Sequence, residues 1–85
     1  MKNEFAEISV KDAERITREQ LIKIGKKLKE IRIKHNLTLN DVSFFTYINL
    51  DSIHRLERGK LKNTTLLTLS KFTIFYKISW EELVS

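Results

Sequence analysis

Residues 38–59, TLNDVSFFTYINLDSIHRLERG, hold two helix beginnings and two helix ends. Thr38-Leu39-Asn40-Asp41 is a capping box, in which the threonine hydroxyl takes the amide three residues on and the aspartate returns the bond. Leu37 and Val42 flank it as a hydrophobic staple. The helix so begun runs about two turns, to roughly Phe45. Thr46-Tyr47-Ile48 then makes a tight connection, and Asn49 is a favoured N-cap for the next helix. That helix ends near Arg58, with Gly59 where a left-handed cap belongs. Ile53 and Leu56, three apart, give it a buried ridge. Asn49, Asp51, Ser52, Arg55 and Arg58 form an opposite, polar edge that no core requires.

Upstream, Thr17-Arg18-Glu19-Gln20 reads as another capping box, stapled by Ile16 and Leu21. From it Leu21, Ile24, Leu28 and Ile31 continue a helical stripe through about residue 35. An earlier box, Ser9-Val10-Lys11-Asp12, either begins a separate short helix or extends this one backward. Gly25, inside the helix, costs about 1 kcal/mol relative to alanine and points to a close backbone approach or a break. Downstream, Thr65 caps a fourth helix with the stripe Leu66, Leu69, Phe72, Thr73 and Tyr76. Ser79-Trp80-Glu81-Glu82 opens a last turn expected to bury Trp80 and Leu83. The fold class is all-α: five helices, with an N-terminal extension able to add a sixth, and no strands.

Composition agrees. Proline is absent and Gly25 and Gly59 are the only glycines, which favours helices over strands and turns. Without cysteine there are no disulfides and no thiolate metal sites. No apolar run approaches the ~18 residues of a membrane span, and MKNEFAEISV lacks a signal-peptide core, so a cytoplasmic protein with no membrane partner is expected. His35 and His54 have no metal-ligand or nucleophile partner at suitable spacing. No enzyme activity, metal or cofactor is therefore expected, and His35 reads as a cap compatible with the helix dipole.

The net charge of +5 is unevenly placed. Residues 1–20 sum to −1, residues 21–62 to +6 and residues 63–85 to zero. A basic middle zone points to a polyanionic partner, and the plainer reading is a solvated lysine-rich helix face.

Residues 24–83 resemble the lambda-repressor-like helix-turn-helix domain, the Cro/repressor or XRE-type family. The matching text is IGKKLKEIR, LTLNDVSFFTYINLDSIHRLERGK and NTTLLTLSKFTIFYKISWEEL. The resemblance implies a compact five-helix bundle over residues 17–85, a helix-turn-helix core at about 38–58 and an N-terminal extension at 1–16. It also implies a duplex-DNA reader, a transcriptional regulator whose helix 49–58 enters the major groove, the one groove where all four base pairs present distinct patterns. Family members commonly bind two-fold sites as homodimers.

Arg55 is the strongest candidate for a base contact, because its planar fork matches guanine O6 and N7. Asp51, one turn earlier, would aim that fork or accept from a cytosine N4, unless the two form a plain surface ion pair. Asn49 and Ser52 could reach a base edge or a phosphate, and Asn49 serves equally as an N-cap. Leu50 either touches a thymine methyl or is core. Thr38, Arg58, Lys60 and Lys62, with the amides opening the second helix, are phosphate candidates. In the family, an arginine at the position of Arg32 pairs with a glutamate at that of Glu57, tying the first helix to the third. One guanidinium nitrogen at most would remain for a phosphate.

The chain departs from the family at several points. Leu39 stands where a phosphate-clamping glutamine is common, Ser43 where a small alanine is usual, and Tyr47 where the turn has glycine, which implies a turn that is looser or differently shaped. Phe44 and Phe45 occupy commonly polar, exposed positions. Phe5, Ile8 and Val10 in the extension are apolar. The extension folds over Phe44 or Phe45, or those aromatics form a dimer interface, or the first 10 or so residues are disordered. The rival function is a protein-interaction module, an adaptor or a toxin-partner antitoxin, that keeps the fold with weak or no DNA binding.

Overall fold

The computed structural model describes residues 4–85. Among them are five α-helices and no strands: α1 Val10–Lys34, α2 Leu39–Thr46, α3 Leu50–Glu57, α4 Leu66–Tyr76 and α5 Trp80–Val84.

The Ser9 box, and not the Thr17 box, starts the first helix. Ser9 Oγ accepts the Asp12 amide at 3.3 Å, and α1 then runs unbroken for 25 residues. Thr17 lies inside it and donates its hydroxyl to the Ala13 carbonyl at 2.8 Å. A Thr-x-x-Gln pattern inside a helix looks like a cap in sequence, but its hydroxyl already has a carbonyl four residues back. Arg15 bridges Asp12 and Glu19 on the same turns, so nothing interrupts the segment. The expected boundary between residues 16 and 17 thus falls within a continuous helix.

α1 has two unlike halves. Leu21, Ile24, Gly25 and Leu28 are buried, whereas residues 10–20 are exposed apart from half-buried Thr17. The outer half overhangs the body by about 16 Å. It lifts the radius of gyration to 15.0 Å, against about 12 Å for a compact chain of this length.

Gly25 marks a close approach, not a break. A Cβ there would lie 1.8 Å from the Leu56 carbonyl oxygen, so α3 rests its backbone directly on α1. Val42, Ile48, Ile53, Leu56, Leu69, Phe72 and Leu83 complete the core with the inner half of α1. Lys27 reaches from α1 to the Glu82 carbonyl and, at 2.9 Å, to Ser85, fastening α5. Two expected core residues are not core: Leu66 and Trp80 are exposed, and Leu83 is the buried side chain of α5. The stripe of α4 is Leu69, Phe72 and half-buried Tyr76.

The connection between α2 and α3 keeps the left-handed residue that a glycine would supply. Tyr47 adopts φ 58°, ψ 26°. For a bulky residue this costs about 1 kcal/mol or more, and two hydroxyls hold it in place. Ser43 donates to the Ile48 carbonyl at 2.6 Å; Thr46 donates to Val42 at 2.6 Å and accepts the Ile48 amide at 3.3 Å. The turn is therefore tight, contrary to the looser or differently shaped one that Tyr47 implied. Asn36, Gly59 and Lys77 take the same left-handed conformation after α1, α3 and α4.

Candidate functional site

α3 is fixed from behind and open in front. Behind it, Arg32 Nε lies 2.8 Å and Nη2 3.0 Å from the two carboxylate oxygens of Glu57. Nη1, the nitrogen expected to be available for a phosphate, donates to the Leu37 carbonyl at 2.8 Å. All three nitrogens are thus engaged in tying α1, the α1–α2 turn and the end of α3 together. The hydrogen bond to Glu57 raises the Arg32 pKa, so the guanidinium stays charged. Tyr76 packs close by: burial, and then the Glu57 charge, push its phenol up to about 12. Its hydroxyl makes no hydrogen bond.

In front, Asn49 caps α3, its Oδ1 accepting the amides of Asp51 at 2.9 Å and Ser52 at 3.3 Å. The N-cap expected of Asn49 is thus formed, and its amide nitrogen is left for a ligand. Asp51 Oδ2 meets Arg55 Nε at 2.9 Å, one turn along. The contact uses the inner nitrogen and leaves the terminal Nη1 and Nη2 unbonded. Leu50 is exposed beside them, so the core reading of that residue does not hold. Ser52 is half-buried at the rim of a groove of about 320 Å³ that also takes in Asn49, Asn63, Thr65, Thr68 and Lys71.

The phosphate candidates are unequal. Thr38 is occupied by its own cap: Oγ1 accepts the Asp41 amide at 3.0 Å and its amide donates to Asp41 Oδ2 at 2.8 Å. Hydrogen bonding from Thr38, first from its backbone amide and then from its side chain, holds the Asp41 carboxyl below the ordinary aspartate range, so a negative charge stands at the mouth of α2. Arg58, Lys60 and Lys62 are exposed along the end of α3 and the loop after it. Of the α1 lysines, Lys27 is committed to α5.

Phe44 and Phe45 are 75% and 59% exposed, so the N-terminal extension does not cover them. Phe45 stacks on Phe75 of α4 with centroids 5.9 Å apart, and Phe44 meets Phe45 edge-on at 5.2 Å. The stacking partner Phe75, the Lys27 clasp and the placement of Tyr76 against the ion pair were not foreseen. Each joins residues far apart in sequence, and only Tyr76 carried a signal, its place on the α4 stripe.

Among the described residues no group of histidine, aspartate and glutamate side chains is arranged to hold a metal ion, and no helix is long and apolar enough to cross a membrane. No protein family, curated protein or solved structure compared with this chain matches it.

Proposed function

We propose that the chain is a sequence-specific duplex-DNA-binding transcriptional regulator of lambda-repressor-like type, with α3 as the reading helix and two copies on a two-fold site. The observation that carries this reading is the fixing of α3 from behind by Gly25 and the Arg32–Glu57 pair, while the Arg55 fork projects unbonded in front. A major groove admits one helix, and a guanidinium whose Nε is held by a carboxylate keeps two terminal donors for guanine O6 and N7. Arg58, Lys60 and Lys62 supply phosphate contacts at the end of α3 and in the loop after it, which set register and salt dependence. Asn49 contributes its amide nitrogen and Ser52 its hydroxyl at the groove rim. Thr38 acts as an architectural cap, and the phosphate role passes to the amides of the first turn of α2.

The test is a fluorescence-anisotropy titration against pooled random duplexes at several salt concentrations, for the wild type and Arg55→Ala. The expected result is binding that weakens steeply with salt, with one enriched sequence that the variant no longer prefers, a loss of about 1–3 kcal/mol of discrimination at one base pair. Absence of binding even at low salt overturns the reading.

A second reading has its own support. The exposed Phe44 and Phe45, backed by half-buried Phe75 of α4, with Leu39 at the start of α2 and the acidic Asp51, suit a protein surface better than a phosphate backbone. That module, adaptor or antitoxin, is what remains if the DNA titration is flat.

A further inference from the structure

The core stripe of α1 does not stop where the body stops. Leu21, Ile24 and Leu28 are buried, and the same face continues outward through Thr17, Ala13 and Val10 at steps of three and four. No other helix covers that continuation; Val10 and Ala13 are exposed. The uncovered face forms one wall of a groove of about 570 Å³. Ile8 lies at its outer end, and Lys62 and Asn63 of the α3–α4 loop line its other side.

Its charge is directional. Arg18 and Lys62 line the inner part against the single acid Glu14. The segment that leads into α1 and forms its first turn has the opposite sign: residues 4–13 carry Glu4, Glu7 and Asp12 against the single base Lys11. Each chain therefore offers an apolar, partly basic groove and an exposed acidic, apolar arm. Such a pair of features is complementary to itself, and a two-fold axis satisfies both copies at once and closes the assembly.

We propose that the groove is filled by a second copy of this chain, whose residues 4–13 lie antiparallel along Val10–Thr17 and bring Glu4 and Glu7 toward Arg18 and Lys62. The inference rests on the DNA-reading proposal only for its use: it puts the loop that follows each reading helix at the dimer interface, where Lys62 turns to the second copy and leaves the phosphate role to Arg58 and Lys60. The aromatic cluster around Phe44 is left outside this contact.

The experiment is sedimentation velocity of the full chain, without DNA, over a wide concentration range near 0.15 M salt. Three further samples are Glu4→Lys/Glu7→Lys, Arg18→Glu/Lys62→Glu, and their equimolar mixture. These side chains are all exposed in the single chain, so helicity by circular dichroism stays at the wild-type level. The wild type is expected to pass from one-chain to two-chain mass with concentration. Each charge-reversed chain alone is expected to dissociate at least about tenfold more readily, because like charges now meet. Mixing them restores both contacts, and with them the two-chain mass. Ala13→Asp, which puts a carboxylate in the stripe, is expected to stay at one-chain mass with unchanged helicity. A wild type of one-chain mass throughout, reversed chains that associate like the wild type, or a mixture that stays dissociated overturns the proposal. Since no DNA is present, none of these results depends on the reading helix, and a flat DNA titration leaves them standing.

Discussion

Two arginine–carboxylate pairs flank α3 with nearly the same length, 2.8 Å for Arg32–Glu57 and 2.9 Å for Arg55–Asp51. Their surroundings differ. The rear pair has side chains 14% and 4% exposed, and every guanidinium nitrogen is bonded. The front pair is 61% and 67% exposed and uses one nitrogen. Near-equal distance thus accompanies unequal work: the rear pair is architecture because its charges are largely shielded from water and its guanidinium is bonded at every nitrogen. The front pair is adjustable because water competes for both partners.

The largest break in this comparison is Glu57→Ala. It leaves the Arg32 charge buried without its partner, and the expected loss is about 3–5 kcal/mol, read from urea unfolding. An unchanged midpoint would put the rear pair in the same class as the front one. Gly25→Ala attacks the same rear face through the backbone. A Cβ set 1.8 Å from the Leu56 carbonyl forces α1 and α3 apart, with an expected loss of about 2–3 kcal/mol. Its second readout is DNA binding, which should weaken because α3 can no longer sit at its native distance from α1.

Tyr76→Phe sharpens the comparison with the opposite sign. The hydroxyl is buried without a hydrogen bond beside the rear pair, so removing it is expected to stabilise the fold by about 1 kcal/mol. The pH dependence follows from the raised phenol, which resists ionising in the fold. The stability it contributes is complete below about pH 10, the value for an unfolded tyrosine, and is lost as pH rises through about 12. Tyr76→Phe should flatten that alkaline limb of the unfolding curve, and an unaltered limb would place the titration elsewhere.

The rear and front faces were also unequally legible in the sequence. Caps could be read because each is a bond between residues three or fewer apart: Thr38, Asn49, Thr65 and Ser79 all cap as expected. The Asp51–Arg55 pair is equally local. Gly25 announced a close approach only by being a poor helix former, and the sequence did not say to what. Arg32–Glu57, 25 residues apart, came from resemblance alone. Periodicity misled at Leu66 and Trp80, because a stripe names a face and says nothing of whether a neighbour covers it. Val10 and Ala13 show the same limit, being on the core face of α1 yet beyond the core. Tyr47 misled in the other direction: its side chain predicts strain in the turn, and the hydroxyls of Ser43 and Thr46 hold the strained conformation.

Asp51→Ala is the smallest change and the most discriminating. The pair it removes is exposed, so the expected cost in stability is within about 0.5 kcal/mol, well below that of Glu57→Ala. Its effect on DNA should be larger than its effect on the fold. Freed of Asp51, the Arg55 side chain recovers its rotamers and must be ordered again on each encounter with guanine. At the same time a carboxylate leaves the surface proposed to meet phosphate, so on that reading overall affinity for unselected duplex should rise while preference at the base pair assigned to Arg55 falls. Measuring both with the same duplex pools separates the two roles. A variant that binds all sequences more tightly and discriminates as the wild type does would make Asp51 a bystander charge. If preference falls as affinity for random sequence rises, Asp51 is the residue that aims the fork.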